Sequence, residues 1–79
     1  MPYTLHRLAP GSYDLILDGA VMGSVVRDLT KSGQVRAWYA ELLDAAPPLP
    51  APFTLEMHRF DTLDETVAWL GGGDVQEGD

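Results

Sequence analysis

The chain has no cysteine, so no disulfide can brace it, and neither thiolate metal ligation nor a cysteine nucleophile is available. Basic residues are scarce as well. Arg7, Arg27, Lys31, Arg36 and Arg59 stand against twelve carboxylates, for a net charge of −7. Phosphate contacts dominate nucleic-acid affinity and need clustered Lys and Arg, so no nucleic-acid partner is expected. No apolar run approaches the ~20 residues of a membrane span, so no membrane partner is expected either. The start, Met-Pro-Tyr-Thr-Leu-His-Arg, lacks the basic-then-apolar pattern of a signal peptide. With no thiols to oxidise, these absences predict a soluble, cytoplasmic protein. Histidine is limited to His6 and His58, on different predicted elements, whereas a zinc site wants three or four ligands at suitable spacing. No metal and no cofactor are expected.

Seventy-nine residues make one domain. Residues 71–79, Gly-Gly-Gly-Asp-Val-Gln-Glu-Gly-Asp, offer one valine among glycines and carboxylates, and predict a disordered acidic, Gly-rich tail. The folding unit is then residues 1–70. A unit of that size buries only roughly 60% of its unfolded surface, which favours a homodimer or a partner protein.

The clearest positive signal is Tyr13-Asp-Leu-Ile-Leu-Asp-Gly-Ala-Val-Met-Gly-Ser-Val-Val26. Two apolar arms flank Asp18-Gly19, the dipeptide that a two-residue type I′ turn prefers because both central positions need φ > 0. That turn sets Leu17 opposite Ala20, Ile16 opposite Val21, Leu15 opposite Met22 and Tyr13 opposite Ser24. One face of the hairpin then carries Tyr13, Leu15, Leu17, Met22 and Val26. The other carries Asp14, Ile16, Val21, Gly23 and Val25.

Residues 3–8 read as a short strand ended by Ala9-Pro10-Gly11. Residues 34–43 fit both a strand and a helix, and the short Gly-containing loop before them favours a third antiparallel strand. Residues 44–52 hold four of the six prolines and predict an extended polyproline connector. Phe53, Leu55 and Met57 alternate with polar residues, as in a fourth strand. Thr62-Leu-Asp-Glu65 is a capping box at the start of a helix whose stripe is Leu63, Val67 and Leu70, with Gly71 as a left-handed cap. Trp69 falls on the flank of that stripe.

No catalytic constellation is present. Ser12, Ser24 and Ser32 lack a nucleophile context. Asp61, Asp64 and Glu65 are explained by the cap, and the triple glycine follows a helix instead of preceding one. An enzyme would need a pocket at His58, Arg59 and Asp61.

The segments Trp38-Tyr-Ala-Glu-Leu42 and Phe60-Asp-Thr-Leu-Asp-Glu65, the second leading into an apolar helix, resemble the partial double-stranded-RNA-binding fold of HicB-type antitoxins. The resemblance covers about half of the chain. It departs at Thr66, where that family has Ala, in the missing glycine-rich approach to the helix and in the longer Pro-rich insert. The element order is also similar to the sheet-plus-helix domains of integrase N-termini, whose sheet reads DNA, an activity that a charge of −7 opposes. The order resembles, more broadly, many small bacterial proteins of strand-strand-strand-helix architecture.

The sequence therefore predicts an α+β fold: a three- to four-stranded antiparallel meander with one C-terminal helix packed on one face. Leu15, Leu17, Met22, Val26, Leu63, Val67 and Leu70 are the expected core. Ile16, Val21 and Val25, on the uncovered face, and Trp69 are the candidate interaction surface. The expected function is that of a small non-enzymatic protein-interaction module pairing with itself or with another protein. The alternative, implied by the resemblance, is an antitoxin-like regulatory partner of a small basic protein.

Overall fold

The structure, a computed structural model, describes residues 3–44, 46–72 and 74–76. Strands β1 (Tyr3–Ala9), β2 (Ser12–Leu17), β3 (Ala20–Leu29), β4 (Val35–Leu42) and β5 (Met57–Phe60) are followed by helix α1 (Leu63–Trp69) and strand β6 (Asp74–Gln76). The sheet order is β5-β4-β3-β2-β1-β6. The first five strands form an antiparallel meander, and β6 adds to the free edge of β1 in parallel. The α+β meander with one C-terminal helix is thus the fold of the chain, with residues 35–42 as a strand.

The Asp18-Gly19 turn forms as its sequence dictates. Both residues have positive φ (53° and 81°), and Leu17–Ala20 and Ile16–Val21 pair as expected. Beyond them the register slips. Met22 is an extra residue in a β-bulge, so Leu15 faces Gly23 and Tyr13 faces Val25. The cause is Gly23. A Cβ at this position would collide with the backbone carbonyl of Glu41, so β4 approaches this close only because residue 23 is glycine. The slip turns the far half of β3 over. Val25, expected on the open face, is fully buried, and Met22 and Val26, expected in the core, are not core residues.

The core consists of Tyr3, Leu5, Tyr13, Leu15, Val25, Ala40, Leu42, Phe53 and Leu70, with Leu17, Leu63, Val67, Trp69 and Val75 packed half-buried against it. Among the described residues, α1 and the connector that delivers Leu49 and Phe53 cover one face of the sheet. The connector is not an extended polyproline segment. It bends back on itself, Phe53 N–H donating to Pro50 O at 2.9 Å, and the peptide bonds before Pro48 and Pro52 are cis. The expected fourth strand is shorter than its alternation suggested, because Phe53 leaves the sheet plane to fill the core and pairing begins at Met57.

The helix ends are closed by local hydrogen bonds. Thr62 Oγ1 accepts from Glu65 N–H at 3.0 Å, while Glu65 reaches back one residue further than a capping box requires, to Asp61 N–H at 3.2 Å. At the other end Gly71 N–H donates to Ala68 O and Gly72 N–H to Val67 O, with Gly71 at φ 96°, the paired bonds of a Schellman motif. The chain then turns back along β1. Residues 74–76, expected to be disordered, instead pair with Thr4, Leu5 and His6, and Val75 packs on the core. Residues 73 and 77–79 of that expected tail lie outside the described residues. Among the described residues, no helix is long and apolar enough to cross a membrane.

Candidate functional site

The residues singled out in the sequence go to three different places. Ile16 and Val21 lie side by side on the open face, and Val21 is 48% exposed. Val25 is 0% exposed and belongs to the core, so it cannot be part of an interaction surface. Trp69 is on the covered side, in an aromatic cluster under the connector. Its ring lies 4.9 Å from Phe53, 4.6 Å from His58 and 5.0 Å from Phe60.

Two surfaces remain. The first is the open sheet face. Registered alternation places Ile16, Val21, Val26, Tyr39 and Met57 on it, with Val26 directly opposite Tyr39. A row across the middle of the sheet is polar: His6, Asp14, Ser24 and Glu41 are in register, ending at Met57, which is 45% exposed. Among the described residues no side-chain hydrogen bond joins members of this row, so they share a stripe without forming a constellation. Val26 was expected in the core because the slip beside Gly23 exchanges the faces of β3, whereas Tyr39 and Met57 stand on β4 and β5 and reach this face by pairing with Val26 and Glu41.

The second surface is a groove of about 600 Å³ at the end of the covered face. Tyr3, Leu17, Asp18, Pro50, Ala51, Pro52, Trp69, Leu70 and Gly71 line it, so it joins the hairpin tip, the connector and the helix C-terminus. The Tyr3 hydroxyl donates to Ala51 O at 2.7 Å, which ties the proline wall to β1. Burial pushes the Tyr3 phenol above its ordinary value of 10.0, because the phenolate would lose hydration there.

The other chemical candidates serve the fold. His58 Nε2 accepts from Thr54 N–H and Leu55 N–H, both at 3.2 Å, and so staples the loop before β5. Arg59 pairs with Asp61 at 3.3 Å on the exposed surface, and neither lines the groove. Glu65 serves the helix cap, the part assigned to it from the sequence. Among the described residues, no group of three or more His, Asp or Glu side chains could hold a metal ion.

Charge is separated along the strands. From the Asp18 turn toward the opposite end, the register rows carry no basic residue until Arg7, in the row of Tyr13, Val25, Ala40 and His58. Arg59, Arg27, Arg36 and Lys31 follow, so every basic residue of the chain lies in the half remote from the groove. The groove half carries Asp18 and Glu56, with Asp44 just past the end of β4. The chain matches no known protein family, no curated protein and no solved structure.

Proposed function

We propose that this protein is a small, non-enzymatic, cytoplasmic interaction module that assembles with a second copy of itself through the open face of its sheet. The observation that carries this reading is the apolar set Ile16, Val21, Val26, Tyr39 and Met57 on a face that no other part of the described chain covers. The molecule measures 38 × 29 × 19 Å, and a broad face of that size has room for the roughly 800 Å² per partner of a standard interface. The polar row that runs between the Ile16–Val21 pair and the Val26–Tyr39 pair suits a surface that must also be soluble before it pairs.

Light scattering behind a sizing column, over a concentration series, tests the reading. A dimer that Tyr39→Asp converts to a folded monomer supports it. A monomer at every concentration, or a dimer untouched by Tyr39→Asp, overturns it. The antitoxin-like reading, with a small basic protein as partner, is favoured by the separation of charge, since an uncompensated acidic end steers a basic partner. Mixing with a basic partner and loss of the complex at high salt would distinguish it from self-association.

A further inference from the structure

We propose that the groove at the acidic end is a binding site for a small organic cation with an apolar body. This is independent of self-association, because the groove and the open face lie on opposite sides of the sheet.

Size, lining and charge agree on this ligand class. A volume of about 600 Å³ falls inside the roughly 300–1,000 Å³ typical of small-molecule sites. The lining is apolar apart from one ionised group, Asp18. Asp18 is exposed at the hairpin tip and has no ion-pair or hydrogen-bond partner among the described residues, so its carboxylate is free to meet a cation. Trp69, partly buried, also lines the groove, and an indole favours cations and apolar rings alike. None of the five Lys and Arg side chains lines the groove beside Asp18.

The groove is also held ready. Tyr3 fixes Ala51 O, the Pro50–Phe53 turn fixes the proline wall, and three rings hold Trp69. A site shaped before the ligand arrives loses little affinity to ordering.

The test is a titration of ¹⁵N-labelled protein with three probes of matched shape: 2-phenylethylammonium, 2-phenylethanol and 3-phenylpropionate. The expected result is saturable shifts at the Trp69 indole N–H and at the amides of Asp18 and Gly71, with the anion at least about tenfold weaker than the cation. Asp18→Asn keeps the turn, because asparagine tolerates the left-handed conformation. It should weaken the cation about fivefold or more, leave the neutral probe unchanged and abolish the salt dependence of the cation. Equal binding of all three probes, or indifference to Asp18→Asn, would mean a merely greasy cleft and overturn the proposal. So would the absence of saturable shifts, or binding seen only with a Leu-Lys peptide, which would make the groove a peptide-docking surface.

Discussion

Ile16 and Val25 stand on neighbouring strands of one hairpin, both β-branched and both within an apolar run, yet the first faces outward and the second is sealed in the core. The two faces of the sheet differ less in their own residues than in what is laid over them. Tyr13, Leu15 and Val25 meet Phe53 and Leu70, which arrive from the connector and the helix. Ile16, Val26 and Tyr39 meet only neighbours on their own face, with neither α1 nor the described connector laid over them. Burial in this molecule is decided by residues 49–70, far along the sequence from the strands they cover.

That contrast predicts a steep difference between two lysine substitutions. Val25→Lys forces an ammonium into a site with no exposure and no partner, and should cost at least about 4 kcal/mol, enough to abolish cooperative unfolding in a domain this small. Thermal melts followed by circular dichroism would show it. Retention of a sharp transition would mean that the slipped register is wrong and that Val25 faces outward. Gly23→Ala comes next. The added methyl meets the Glu41 carbonyl, part of the β4 backbone, which cannot turn aside as a flexible side chain could. The expected loss is about 3 kcal/mol, read from urea denaturation. A neutral result would show that β3 and β4 are not so closely paired at the bulge.

Most of the fold was legible because its signals are local. The Asp18-Gly19 turn, the Thr62 cap and the Gly71 stop each depend on side chains within a few residues, and each formed. The register of β3 was not legible from alternation, since Leu15–Met22 and Leu15–Gly23 are equally apolar pairings to a pattern that counts only hydrophobicity. Gly23 was the available signal, because a glycine inside a strand often marks a bulge or a close approach. The sixth strand could not be read either. Asp74-Val-Gln76 has almost no hydrophobic content, and it is ordered by the free edge of β1. One residue of the candidate site followed the hairpin slip: Val25 left the surface and Val26 took its place, while Trp69 went to the covered side for a separate reason, its packing on Phe53. The groove was invisible for a different reason, since Asp18, Pro52 and Trp69 are brought together only by the folded connector.

Within the covered region, the tie between Tyr3 and Ala51 has a smaller effect and a distinct pH signature. Tyr3→Phe removes one hydrogen bond from the connector and should cost about 1 kcal/mol at neutral pH. The folded-state value of the phenol is raised by burial. Above about pH 10 the unfolded chain gives up this proton while the folded chain keeps it. The stability contributed by the neutral phenol is therefore complete below that pH and falls as pH climbs through the folded value. Denaturant midpoints measured from pH 8 to 11 should decline less for Tyr3→Phe than for the parent chain. Parallel declines would mean that this phenol is as hydrated in the folded state as in the unfolded one.

The open face predicts the smallest stability change and the largest change in assembly. Ile16→Lys places its ammonium in water, beside Val21 and away from every core residue, so the monomer should lose no more than about 0.5 kcal/mol. In a dimer joined across this face the same ammonium would be buried without a partner, a penalty of several kcal/mol that should shift the dissociation constant by at least about a hundredfold. Denaturation at concentrations where the chain is monomeric, set beside light scattering at high concentration, separates the two effects. A stable Ile16→Lys monomer that no longer pairs is the expected pattern. Unfolding of the monomer by Ile16→Lys, to the degree expected of Val25→Lys, would mean that both faces of the sheet are core and that the contrast between them is false.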